Sequence, residues 1–115
     1  MRLGAQRIVR GVAVALVTNY LPAYRIPLYT LLAERLGVEV YCFGGEGHYV
    51  PEAMRDLDRQ LESAPFPAHR LERQRDAAEL AAGHDAVIAS TAGRVALPSA
   101  YRGARRARRP FVLWA

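Results

Sequence analysis

The 115-residue chain predicts an α/β fold, a Rossmann-like open parallel sheet of four to five strands with helices on both faces. Three observations point to it. Short apolar runs alternate with segments of helical periodicity along the whole length. The first run, Val12-Ala13-Val14-Ala15-Leu16-Val17, has no polar face, as a strand covered on both sides requires. Apolar residues make up 51% and charged residues 23% of the chain. That is the balance of one globular domain rather than of a disordered or collagen-like segment.

The first strand spans Gly11 to Val17 and leads into a loop, Thr18 to Arg25. Pro27 suits the first turn of the helix that follows. Leu28, Leu31, Leu32 and Leu36 recur on one face of that helix, and Gly37 caps its end. Val38 to Phe43 is the second strand, followed by the loop Gly44-Gly45-Glu46-Gly47. Pro51 to Glu62 reads as a charged helix with a thin stripe of Met54, Leu57 and Leu61. Phe66 to Leu71 is a short third strand, held to a strand start or a sheet edge by Pro65 and Pro67. A helix from Gln74 to Ala82 stops near Gly83. Ala86 to Ala89 is the fourth strand and Ser90 to Gly93 a loop. A helix from about Leu97 to Arg106 carries Pro98 in its first turn, and Phe111-Val112-Leu113-Trp114 is the fifth strand. An apolar strand as the last element leads us to expect the N-terminal piece of a longer polypeptide. The alternative is a complete flavodoxin-like domain with its last strand at the sheet edge.

Composition removes several function classes. A single cysteine, Cys42, excludes an internal disulfide framework and a multi-cysteine metal site. It sits inside an apolar strand, where an inert thiol is expected. The sixteen basic residues are all arginine, and the net charge is +5. The excess is local: Arg102, Arg105, Arg106, Arg108 and Arg109 follow one another without an acidic residue among them. A nucleic-acid-coating protein spreads its charge more widely, so no nucleic acid is expected. A helix end itself favours cations. The same cluster could also touch an anionic membrane surface. No apolar run approaches the ~20 residues of a membrane span. The basic start before Val12 leads into Thr18-Asn19-Tyr20 rather than a small-residue cleavage site, so the first apolar run reads as a strand and not as a signal segment.

In an open doubly wound sheet, ligands bind beyond the carboxyl ends of the strands, where the strand order reverses. With the order 3-2-1-4-5 the reversal lies between the first and fourth strands. The loops there are Thr18 to Arg25 and Ser90 to Gly93. The first contains no glycine, so it cannot bring backbone against a pyrophosphate as a dinucleotide fold does, and no Gly-Lys pair serves a P-loop. It offers instead Asn19, Tyr20, Tyr24 and Arg25, stiffened by Pro22 and Pro27. Aromatic rings stack on flat faces, and the arginine fork matches carboxylates and phosphates. Arg25 also stands at a helix N-terminus, where the dipole disfavours a cation and attracts anions. An anion held jointly by Arg25 and the helix amides would resolve that conflict; otherwise the side chain reaches solvent or an acidic partner. Gly45 and His48 belong to the next loop along the same edge, His48 as a ligand-contacting or acid–base residue or as an exposed one. Ser90 and Thr91 either donate hydroxyls to a ligand or cap the following turn. No His and carboxylate spacing suggests a metal, and Ser90 lacks a nucleophile-elbow frame.

Asn19-Tyr20-Leu21-Pro22-Ala23-Tyr24-Arg25-Ile26-Pro27-Leu28-Tyr29, set between the first strand and Leu31-Leu32-Ala33-Glu34-Arg35, resembles the opening of bacterial glycosyltransferases of the family 4 type. Many of these carry a Pro-x-Tyr-Arg-x-Pro loop before a similar helix. The "DAVIAS" and "RPFVLWA" strands fit the same pattern, which covers nearly the whole chain. The resemblance implies a two-domain GT-B enzyme that moves a sugar from a nucleotide-sugar to a glycan, lipid-linked or small-molecule acceptor. Residues 1–115 would be its acceptor-binding domain, and a C-terminal domain absent from this sequence would bind the donor. It further implies a cytoplasmic protein, with peripheral contact at the inner membrane face through the five arginines, and no cofactor in this chain beyond the donor of the full enzyme. Many relatives have a Gly-rich loop where this chain has Tyr and Pro, so their phosphate contacts do not transfer. No catalytic residue can be carried over, because the matching region lies downstream. The other reading is a stand-alone α/β ligand-binding or regulatory module without catalysis.

Overall fold

The computed structural model describes residues 12–44, 56–90 and 95–114. The first described strand, β1, is Val14–Thr18, buried from Ala15 to Thr18. It starts later than the apolar run suggests because Val12 and Ala13 are exposed. The entry to β1 is tied instead to Asp85, whose carboxylate accepts from the Ala13 amide at 2.7 Å and whose own amide donates to the Ala13 carbonyl at 2.7 Å. A 3₁₀ turn, Ala23–Arg25, opens at Pro22 and runs directly into helix α1, Ile26–Leu36. Gly37 ends α1 with φ +68°, and its N–H reaches the Ala33 carbonyl. Glycine takes this left-handed cap without the Cβ penalty.

The remaining elements are β2 (Val38–Cys42), α2 (Leu57–Ser63), β3 (Ala68–Arg70), a 3₁₀ turn at Gln74–Asp76 continuing into α3 (Ala77–Ala82), β4 (Ala86–Ser90), α4 (Ala96–Arg106) and β5 (Phe111–Trp114). Asp56 caps α2 by accepting from the Arg59 amide at 3.2 Å. Met54 and the start predicted for this helix lie outside the described residues, as do Gly11, Gly45, His48 and Thr91. The described strands form one sheet in the order β3-β2-β1-β4-β5, with every pair parallel. The order therefore reverses between β1 and β4, as the sequence predicts, and β3 is an edge strand as its flanking prolines require.

Two cores fill the faces. On one side Leu16, Val38, Val40 and Cys42 pack with Tyr29 of α1 and Leu57 of α2; on the other Val17, Val87 and Ala89 meet the alanines of α3 and α4. The buried face of α1 differs from expectation. Tyr29 is fully buried, with Ile26, Leu32 and Ala33 beside it, while Leu28, Leu31 and Leu36 are exposed. Leu32 belongs to both stripes; Ile26, Tyr29 and Ala33 also follow a helical repeat but lie about one position round the helix from Leu28, Leu31 and Leu36. Tyr29 takes the core because its ring fills the space between Phe66 and Trp114, edge-on to both at 5.9 and 6.2 Å.

The helix pair on the other face is built from small residues. Ala77 and Ala81 of α3 meet Ala96, Ala100 and Ala104 of α4, all fully buried. At Gly103 the backbones touch: an added Cβ would lie 2.0 Å from the Ala78 carbonyl oxygen. Beyond α4 the chain turns through Arg108, at φ +57°. The Arg109 amide closes on the Ala104 carbonyl at 2.8 Å and the Arg108 amide on the Arg105 carbonyl at 3.1 Å. This is a Schellman end with arginine where glycine is usual.

Candidate functional site

The carboxyl ends of the strands form one row. Thr18 is level with Cys42, Val17 with Ala89, and Ser90 with Trp114. The reversal of strand order opens between Thr18 and Ser90. Arg25 reaches across this gap. Its Nη1 donates to the Ser90 Oγ at 2.9 Å, a contact spanning 65 residues of sequence. Its guanidinium carbon lies 4.5 Å from the centre of the Trp114 ring and 5.6 Å from that of Tyr24, within cation–π range of both. One cation thereby ties the loop after β1 to the ends of β4 and β5.

The electrostatics of Arg25 follow from this setting. Partial burial opposes its charge, but the phenolic oxygens of Tyr24 and Tyr29 more than offset this and hold the pKa above the ordinary arginine value. Among the described residues no carboxylate forms an ion pair with it; the ion pairs there involve Arg59, His69, Arg70, Arg73 and Arg109. Arg25 is the N-cap of α1 and makes no side-chain cap bond. The helix amides contribute less than expected. The Ile26 N–H is already given to the Ala23 carbonyl, and Pro27 has none. An anion here would therefore rest mainly on side chains.

The other predicted site residues divide. Tyr24 is 77% exposed and flanks Arg25. Ser90 is fully buried at the end of β4 and receives Arg25, whereas α4 begins at Val95 with no side-chain cap. Its hydroxyl thus takes part in the contact across the gap, and the turn it was also expected to cap lies outside the described residues. Asn19 serves the backbone: its Oδ1 accepts from the Tyr20 amide at 2.8 Å, and its carbonyl accepts from Gly44 at 3.0 Å. Tyr20 is a core residue, 5% exposed among Leu21, Tyr29 and Leu57. Gly45, His48 and Thr91 fall outside the described residues.

Trp114 and Tyr29 join the site without having been singled out. The parallel register of β4 with β5, which strand order alone does not fix, sets Trp114 beside Ser90. A cavity of about 360 Å³ opens between the same loop and α2, lined by Leu21, Ala23, Ile26, Gln60 and Ser63. Cys42 stays inert: burial raises its thiol to about 12, although Arg70 pulls the other way. On the opposite face of β5 an apolar groove of about 420 Å³ runs between Leu97, Tyr101 and Leu113. The five arginines beside it are all exposed. They are not wholly without counter-charge, since Arg109 stands 3.8 Å from Asp85. Among the described residues no helix is long and apolar enough to cross a membrane. Compared with known proteins, the chain matches no family model and no curated protein.

Proposed function

We propose that this chain is the acceptor-binding half of a glycosyltransferase that moves a sugar from a nucleotide-sugar to a saccharide or lipid-linked acceptor. The observation that carries the reading is the meeting of Arg25 and Ser90 across the strand-order reversal. Such a crevice is where open α/β sheets bind ligands. The Tyr24-Arg25-Ile26-Pro27 element, on which the family resemblance rests, supplies the arginine that reaches across it. Exposed Tyr24 gives a flat apolar surface of the kind that packs on sugar rings, and Arg25 gives a charged fork. The neighbouring 360 Å³ cavity has the size of a small-ligand site.

In this reading the donor nucleotide is held by a second domain, and transfer needs both substrates fixed in one cleft. The purified 115-residue chain therefore binds acceptor-type saccharides but turns over no nucleotide-sugar. Saturation-transfer NMR with a panel of mono- and disaccharides, their phosphates and nucleotide-sugars tests this. Saccharide signals that saturate, and that weaken when Tyr24→Ala removes the ring, support the reading. Binding of non-saccharide ligands alone would favour a stand-alone regulatory module, and hydrolysis or transfer by the chain itself would contradict the division of labour.

A further inference from the structure

Three hydrogen-bond donors converge at this edge without enough acceptors. The guanidinium of Arg25 gives one N–H to the Ser90 Oγ, and among the described residues no carboxylate takes the others. Ser90, having accepted from Arg25, keeps its own hydroxyl proton to donate. The Tyr29 hydroxyl is fully buried against the Arg25 guanidinium, which it helps keep charged, and makes no hydrogen bond of regular geometry among the described residues. All three border Trp114: Arg25 lies 4.5 Å over its ring, Tyr29 packs edge-on at 6.2 Å, and Ser90 is its register partner. The site also faces the N-terminus of an eleven-residue helix, whose dipole adds positive potential to a cation already there. A neutral hydroxyl could accept one of these hydrogens but could not offset the charge.

We propose that Arg25, Tyr29 and Ser90 form the seat of a phosphoryl oxyanion, so that the ligand of this edge is a phosphorylated saccharide. This rests on the reading of the chain as an acceptor-binding half. A phosphoryl group supplies several acceptor oxygens and negative charge at once, and the arginine fork matches it. The Trp114 ring floors the seat. The Tyr29 hydroxyl, otherwise a buried group without a regular hydrogen bond, of a kind that native structures avoid, gains its acceptor when the ligand arrives.

Trp114 is the only tryptophan in the chain, so its emission reports directly on the seat. The purified protein is titrated with inorganic phosphate, glucose 1-phosphate and glucose, following fluorescence and melting temperature. Both phosphate-bearing ligands are expected to change the emission and raise the melting temperature, glucose 1-phosphate at the lower concentration, and glucose is expected to do neither over the same range. Arg25→Ala should weaken phosphate binding by about tenfold to a hundredfold, with Arg25→Lys between it and the parent. Tyr29→Phe should weaken binding about fivefold while melting no lower than the parent, because it removes a hydroxyl without a regular hydrogen bond and keeps the ring. A merely structural Tyr29 would not separate those two readouts. No response to either phosphate, or a response unchanged in Arg25→Ala, overturns the proposal. Glucose binding as tightly as its phosphate overturns the oxyanion seat while leaving the saccharide reading in place. Phosphate binding as tightly as glucose 1-phosphate, lost in Arg25→Ala, upholds the oxyanion seat and counts against a saccharide ligand.

Discussion

Substituting Gly103 by alanine tests the packing that holds one face of the sheet. The new Cβ would stand 2.0 Å from the oxygen, 2.6 Å from the carbon and 2.7 Å from the Cα of Ala78. These are backbone atoms of α3, so no side-chain rotation relieves the clash. The two helices must separate by about 1 Å, since real Cβ contacts essentially never fall below 3.0 Å. Their interface is alanine on alanine, with Ala77, Ala81, Ala96, Ala100 and Ala104 all buried, and such short side chains cannot fill the gap that separation leaves. Overpacking of this kind costs about 3 kcal/mol. The better helix propensity of alanine returns about 1 kcal/mol. The net loss is about 2 kcal/mol, or ~8 °C in melting temperature for a domain of this size. Thermal and urea unfolding followed by circular dichroism measures it. Gly83→Ala is the control, because its Cβ would come no closer than 3.4 Å to the Glu79 carbonyl oxygen and 3.6 Å to that of Leu80, and its backbone is right-handed helical; its stability should change by less than about 1 kcal/mol. A Gly103→Ala protein as stable as the parent would refute the close-contact argument.

Other perturbations have equally definite outcomes. Arg108→Gly should stabilise the fold by about 0.5–1 kcal/mol, because φ +57° strains a residue with a Cβ; an unchanged or lower urea midpoint would contradict this. Burial raises the Cys42 thiol to about 12, and burial together with the Glu39 hydrogen bond raises the Tyr41 phenol to about 12. Both folded values lie above the unfolded ones, so the folded state binds more protons between about pH 9 and 12 and its stability falls as pH rises through that window. Melting curves from pH 8 to 11 should show the fall, less steeply in Cys42→Ala. The five exposed arginines at the end of α4 should carry the protein to anionic vesicles at about 1 kcal/mol each; flotation that persists after all five are replaced by glutamine would remove that role.

Much of the fold was legible because β1, β4 and β5 are short, mostly apolar runs, β2 alternates around Glu39, and a breaker precedes most of the strands. Gly37 before β2, Pro67 before β3, Gly83 before β4 and Pro110 before β5 divide the chain where the structure does. Site placement followed from strand order alone, which put Arg25 and Ser90 at one crevice. What escaped was rotational and long-range. On α1 the leucine stripe and the Ile26-Tyr29-Leu32 stripe have the same period, and only the space between Phe66 and Trp114 decides that Tyr29 goes inward. Tyr20 reads as a loop aromatic, yet the chain folds it under the sheet edge into the same core. Trp114 lies 89 positions from Arg25 in sequence, and only the parallel register of β4 with β5 brings the two together.

The most direct test of the central claim, that ligands bind at the carboxyl edge between β1 and β4, is an amide chemical-shift map of the ¹⁵N-labelled chain titrated with glucose 1-phosphate. The account predicts shifts at Asn19, Tyr24, Arg25, Ser90 and Trp114 that saturate together. Val14, Val38 and Ala86, level with one another at the amino ends of the same strands, should stay unmoved. Shifts gathered instead around Leu97, Tyr101 and Leu113, or at the amino ends, would contradict it.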